Sequence, residues 1–366
     1  MNNTNTPRAA TEQGDIFFQT LLELWNDAAN AGENPVTTDL ELCGFHLRLK
    51  FASQMLFSQL TQAFRHCPKP SPGSRPDFTI HAYAGSPAQL IRKSPWQRDD
   101  LEQPRGEIRP VLGTGIIASL VGTDLINVYH RHRKQAVYCV RDDTPVPYHE
   151  LAAPFRPLLH WWLREQNWFL VHGAGLGDDG KNGVLLMGKS GSGKSTLAVA
   201  AALDGGLDFC GDDYCAIRIT EPYQLAPVFP CAKLTEETRL MLGLKKSGLF
   251  IERSRKHLCF PGQTLTARIP PKNLDLAALV LPTRETGSTE SSLRRLSPAQ
   301  TAIQLAVSSL YQLPHAGETE FNGLAAMARK LPGWSLAVPD NKPLEAVSTL
   351  KSILKQSKNS GHTTRQ

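Results

Sequence analysis

The stretch Gly188-Lys189-Ser190-Gly191-Ser192-Gly193-Lys194-Ser195-Thr196 decides how the rest of the chain is read. In front of it stands Gly183-Val184-Leu185-Leu186-Met187, a short apolar run of strand character. Behind it comes Leu197-Ala198-Val199-Ala200-Ala201-Ala202-Leu203, rich in helix formers and followed by Gly205-Gly206, the residue type that closes helices. Strand, glycine-rich turn and helix in that order are the setting of a phosphate-binding P-loop of the Walker A kind. Glycines let the backbone wrap closely enough for several N–H groups to face phosphate oxygens. The helix that follows adds its free N–H groups and the positive end of its dipole. The motif assigns Lys194 to the β- and γ-phosphates and the Ser195 hydroxyl to Mg²⁺. A bound nucleoside triphosphate, ATP with Mg²⁺, is the expectation, with Gly188 to Thr196 as its cradle.

The remainder of the composition narrows the class without naming an activity. The chain has 366 residues, long enough for two domains, with 41% hydrophobic and 20% charged residues, as in an ordinary soluble globular protein. A net charge of +6 is mildly basic. It suits a phosphate binder and is too diffuse for nucleic acid, since no basic block with interleaved aromatics occurs. The seven cysteines are scattered with no CxxC pair, and with a P-loop they point to reduced thiols in a cytoplasm. No apolar run is long enough to span a bilayer, and the polar start MNNTNTPRAATEQGD is no secretory signal. A cytoplasmic protein, bound to no membrane, is expected.

In chain order, residues 1–15 read as disordered, and Ile16 to about Asn30 as an amphipathic helix with Asp15 as N-cap. After a strand around Leu47–Phe51 and a proline-rich loop, strand-like pieces lie at Phe78–Tyr83, Ile116–Leu120, Leu125–Tyr129 and Ala136–Val140. Their β-branched and aromatic content suggests an antiparallel sheet. Residues 16–150 thus form a β-rich N-terminal domain of unknown role. Gly113-Thr114-Gly115 within it lacks the third glycine of a nucleotide turn. A second domain, 151–356, opens with a helix over about Ala153–Gln166, whose Trp161-Trp162 pair suits core packing better than a stacking platform. It continues through the apolar strand Trp168–Val171, the P-loop and the strand Asp208–Gly211. It ends in helices near Ser297–Leu310, Glu318–Leu331 and Pro343–Gln356. A mobile tail, 357–366, closes the chain.

Asp212 and Asp213 end a short apolar strand 18 and 19 residues after Lys194. A helix of ten to twelve residues spans roughly 15–18 Å, so a strand returning beside it can bring these acids to the phosphate end. Two carboxylates near a Mg²⁺–nucleotide site can divide the labour, one accepting the proton of an attacking hydroxyl, the other holding the metal through water. His172 ends the preceding strand and could hydrogen-bond a phosphate oxygen or orient an acid. Lys233, Arg253, Arg255 and Lys256 follow and are candidates to clamp a γ-phosphate or an acidic substrate. Cys210 and Cys215 flank the acids without any other metal-ligand spacing, which argues against zinc.

His172-Gly173, GKSGSGKS and Gly211-Asp212-Asp213, in this order and at these distances, resemble the kinase domain of the HPr kinase/phosphorylase family. That family is related in fold to the phosphoenolpyruvate carboxykinases. The resemblance covers about residues 165–220. It implies an α/β fold with a P-loop kinase domain of the HPr kinase/phosphoenolpyruvate carboxykinase-like type, to which the strand and helix patterns above add a β-rich N-terminal domain and a helical C-terminal end. It further implies that Gly188 to Ser195 bind ATP, that Asp212 is the general base, that Asp213 assists at the metal and that His172 lines the site. Thr196 stands where the family has glutamate, and no match to its Glu-Ile-Arg-Gly-Leu-Gly segment follows. HPr itself is therefore not the expected substrate, and the chain looks more like the broader HPr-kinase-related group.

Two functions of different class follow. The first is an ATP-dependent phosphotransferase acting on a hydroxyl, a serine of a protein or peptide or a small metabolite. The second is a nucleotide-binding regulatory or assembly module with little catalysis. A transporter ATPase needs an LSGGQ-type helix, and none is found. The acceptor and any homo-oligomerisation stay open.

Overall fold

The computed structural model describes residues 7–31, 34–96, 98–101, 106–110, 113–142, 144–203, 206–245, 248–285, 290–339 and 342–360. They form a mixed α/β structure with a seven-stranded, a nine-stranded and a three-stranded sheet. The chain divides into two compact units, Met1–Glu165 with Leu313–His315, and Gln166–Gln312 with Ala316–Gln366. The helix Arg156–Arg164, grouped by the sequence with the second domain, thus stands in the first unit. There Trp161 and Trp162 are fully buried, and Trp162 stacks on Phe78 at 4.9 Å. Among the described residues no helix is long and apolar enough to cross a membrane.

In the first unit the helix runs Pro7–Ala31, so it starts well before the expected Ile16; residues 1–6 lie outside the described residues. The early turns are held from across the fold: Thr11 Oγ1 donates to Gly113 O at 3.0 Å, and Arg133 Nε donates to Asp15 Oδ1 at 2.8 Å. Asp15 is therefore an ion-pair partner inside the helix and not its cap. The sheet also differs from expectation. Ile116–Val121, Leu125–His130 and Gln135–Arg141 are antiparallel neighbours, but Phe78–Gly85 runs parallel to both Gln135–Arg141 and Phe45–Phe51. The pieces between these strands act as crossovers, and a parallel neighbour requires such a long connection. A list of strand-like segments does not reveal which connections are crossovers, which is why a simple antiparallel reading failed.

The second unit builds the site. Its sheet follows the path Asp208–Gly211, Ala174–Asp178, Asn182–Leu186, Leu274–Glu285, Gln224–Ala226, Tyr214–Arg218, Trp168–His172. Gly333–Pro339 joins as a second parallel neighbour of Leu274–Glu285. The two ends of the path are bridged twice by the chain: once by Gly173, and once by Asp212-Asp213. Strands that are neighbours in sequence can stand at opposite ends only if the sheet folds back on itself. The two bridges meet there, Gly173 N donating to Asp213 O at 3.2 Å. Side chains would not fit at this corner: a Cβ on Gly173 would lie 2.7 Å from Leu186 O, and one on Gly211, at φ 140°, 2.7 Å from Phe229 O.

Helices cover both faces. Lys194–Leu203 and Pro343–Ser360 pack together, burying Leu197 and Ala198–Ala202 with Val347, Leu350 and Leu354. Small alanine side chains let the first of these helices lie close to its neighbours. On the other face Leu305, Leu324 and Met327, from Pro298–Ser309 and Glu318–Lys330, meet Val171, Ile217 and Leu225. The three-stranded sheet Ala232–Thr235, Lys256–Cys259, Leu249–Ile251 completes the unit.

Candidate functional site

The glycine-rich loop joins the strand Asn182–Leu186 to the helix Lys194–Leu203, so the order expected from the sequence is present. Gly188, Gly191 and Gly193 have φ of 124°, 83° and 98°, values that side-chain-bearing residues rarely adopt. Lys194 is buried, and its Nζ donates to Gly188 O at 2.6 Å and Lys189 O at 3.1 Å, bending across its own loop. Burial pulls its ammonium below the ordinary lysine value, against the attraction of Asp212 and Asp213. Ser192 Oγ is buried and has no hydrogen-bond partner among the described residues.

The sheet corner places the acids opposite this loop. His172, Ser190, Gly191, Gly193, Lys194, Ser195, Thr196, Asp212, Asp213 and Lys233 line one cleft of about 180 Å³. Asp212 is 3% exposed and accepts from the backbone N of Lys233 at 3.0 Å. Burial pushes its carboxyl up to about 6, and the charge of Asp213 adds to this, against the Lys233 amide, its ammonium and the Ser195 hydroxyl. Asp213 behaves oppositely. Burial disfavours its charge too, but the Lys233 ammonium and His172 hold it well below the usual carboxylate range. Lys233 Nζ donates to Oδ2 at 2.5 Å, and His172 Nε2 lies 3.2 Å from Oδ1. Adjacent residues of one chain therefore have opposed acidities, the pattern that separates a proton acceptor from a fixed anion.

The tautomer of His172 follows from its other side. Tyr214 OH donates to Gln312 Oε1 at 2.7 Å, which turns the amide so that Nε2 donates to His172 Nδ1 at 3.2 Å. Nδ1 is the bare nitrogen in this network, and Nε2 carries the proton toward Asp213. Tyr214, Gln312, His172, Asp213 and Lys233 form one chain of hydrogen bonds. A backbone bond from His172 N to Ser309 Oγ, 3.1 Å, anchors it to the helix Pro298–Ser309.

Of the basic residues singled out from the sequence, Lys233 and Lys256 line the cleft; Arg253 and Arg255 do not and are exposed. Sequence reasoning missed Arg284, Thr235 and Thr238, which also line it. Thr235 caps the helix Glu236–Met241, its Oγ1 accepting from Thr238 N at 3.2 Å. Arg284 stands near the carboxyl end of Leu274–Glu285, the parallel neighbour of the loop strand, where open α/β sheets bind ligands. Neither Lys256 nor Arg284 has an ion-pair partner among the described residues. Four cationic side chains, Lys194, Lys233, Lys256 and Arg284, thus face two carboxylates.

No family model matches this chain, and no curated protein matches it. Among solved structures it is similar to the HPr(Ser) kinase/phosphatase from Coxiella burnetii. That likeness covers 50% of this chain and 94% of the other, at 13% identity and a TM-score of 0.26.

Proposed function

We propose that the chain is an ATP-dependent phosphotransferase that moves the γ-phosphate of MgATP to a hydroxyl, in a protein or peptide serine or a small metabolite. The observation that carries this reading is the cleft itself, where the glycine loop with Lys194 and Ser195 faces Asp212 and Asp213 under an excess of positive charge. That excess, the orphaned Ser192 hydroxyl and the three positive-φ glycines suit a polyphosphate.

The donors suit magnesium as well, in the manner of sites that hold it with one or two protein oxygens and the substrate phosphates. Ser195 would hold it directly and Asp213 through water, since each Asp213 oxygen already accepts one hydrogen bond. Bound there, the ion would neutralise charge gathering on the phosphoryl oxygens. Lys194 would exchange its carbonyl partners for phosphate oxygens, and Lys256 and Arg284 would clamp the same anion. Asp212, with its carboxyl near 6, would take the proton of the attacking hydroxyl. His172 and Lys233 would hold Asp213 ionised and fixed.

The test is incubation of the protein with γ-labelled ATP and an extract of the source cell, followed by identification of the labelled product. Asp212→Asn should keep ATP binding and lose transfer. Undiminished transfer by that variant would refute the assigned base.

A further inference from the structure

The phosphate cleft uses only part of one basic stretch in the second unit. Lys245 and Lys246 precede Leu249-Phe250-Ile251, and Arg253, Arg255 and Lys256 follow it, with Glu252 the single acid among them. Lys256 lines the cleft, whereas Lys245, Arg253 and Arg255 are exposed outside it. Leu249–Ile251 is an outer strand of the three-stranded sheet: among the described residues it pairs only with Lys256–Cys259, and its other edge is free. Leu249 is 55% exposed and Phe250 50%. The apolar surface continues beyond the strand. The Phe250 ring stands 5.0 Å from that of His257, His257 Nε2 lies 2.8 Å from Glu236 Oε2, and Leu240, one turn along the same helix face, is exposed. Sheet edges are ordinarily blunted by charge within the strand or by a cover. This one carries three apolar residues and keeps its charges at either end.

We propose that this edge takes an extended, acid-flanked apolar segment of the acceptor as a fourth strand, so that the acceptor is a protein or peptide and not a small metabolite. The role of that segment as acceptor rests on the proposed phosphotransfer; its docking rests on the edge and its charges. An extended segment finds there what strand addition needs, free main-chain N–H and C=O groups and side chains to pack on. Charge selects the occupant. Two copies of this chain pairing antiparallel through Leu249–Ile251 would set Lys245 and Lys246 of one against Arg253 and Arg255 of the other, and like charges so opposed cost free energy. A segment with acidic residues on both sides of an apolar centre meets opposite charge at both ends. The position suits transfer. Strands stand about 4.8 Å apart, so an added strand lies roughly 10 Å from Lys256–Cys259, the strand whose Lys256 lines the cleft. About three or four extended residues, at roughly 3.3 Å each, cover that distance, so a serine that far along the chain from the docked segment reaches the phosphate.

The test is selection from a random peptide library against the full chain, followed by hydrogen exchange with a selected synthetic peptide. The selected peptides should share aromatic or β-branched residues flanked by acidic ones, and should protect the amides of Leu249–Ile251 from exchange. Arg253→Ser/Arg255→Asn, altered at exposed positions outside the cleft, should bind them at least tenfold more weakly and Mg-ATP as the native chain does; asparagine accepts the positive φ of Arg255, 53°. A selected peptide extended by about three or four residues to a serine should take label from γ-labelled ATP. Failure to select any peptide, a consensus without acids, or protection outside Leu249–Ile251 would overturn the docking. So would protection of that strand that grows with protein concentration in the absence of peptide, since a second copy would then hold the edge. If the native chain labels a product of the cell extract but never the docked peptide, the acceptor role falls. If it labels nothing, the phosphotransfer reading falls and the docking stands.

Discussion

Replacing Asp212 by asparagine should stabilise the fold at alkaline pH while it removes transfer activity. The carboxyl is buried and pushed up to about 6, from an ordinary 3.8. A group raised in the fold adds stability below its unfolded value and loses it as pH climbs through its folded value. That gap is worth about 3 kcal/mol at ~1.4 kcal/mol per pH unit, lost by the native chain between about pH 4 and pH 7. Asparagine has no charge to bury, and its Oδ1 can still accept from Lys233 N. Against this stands the weaker bond a neutral acceptor makes, so the net gain at pH 8 should be about 1–3 kcal/mol. It should shrink toward zero near pH 4. Urea unfolding of both proteins at pH 4.5 and pH 8 measures it. A variant less stable than the native chain at pH 8, or a difference that does not change with pH, would refute this account of the buried acid. Asp213 supplies the control of opposite sign. Its carboxyl is depressed, so Asp213→Asn should cost stability at pH 7, a cost that fades as pH falls below the ordinary aspartate value.

Two further perturbations probe the corner and the relay. Gly211→Ala should destabilise the protein by about 2 kcal/mol or more, because its Cβ would press on Phe229 O from a positive-φ backbone; thermal unfolding reads the loss, and an unchanged midpoint would contradict the corner geometry. Gln312→Met removes the donor to His172 Nδ1, so the ¹⁵N resonance of that nitrogen should shift toward that of a nitrogen accepting no hydrogen bond, while Nε2 keeps its proton toward Asp213. An unaltered Nδ1 resonance would contradict a hydrogen bond from the Gln312 amide.

The parts of this structure legible in the sequence are those coded by local chemistry. The loop from Gly188, its strand and its alanine-rich helix were readable because glycine spacing and propensity act within about twenty residues. The acid pair was readable as a strand end, and it does stand at one. What could not be read were long-range matches. The parallel pairing of Phe78–Gly85 with Gln135–Arg141 depends on the hairpin between them being set to one side. Arg284 lies beyond Pro282, a residue that in sequence argues against a continuing strand. The strand continues because beyond Val280 it pairs only with Gly333–Pro339, so the missing N–H of Pro282 breaks no ladder. Gln312 carries no motif. Only its place after the helix Pro298–Ser309, beside His172, gives it a role.

The most direct test is a crystal structure of the full chain with magnesium and a non-hydrolysable ATP analogue. The account predicts the phosphates within the loop from Gly188 to Thr196 and the γ-phosphate between Lys194 Nζ and the Asp212 carboxyl. A triphosphate bound elsewhere, or one whose γ-phosphate lies beyond the roughly 4–6 Å over which Asp212 and Asp213 could act on it, would contradict the account.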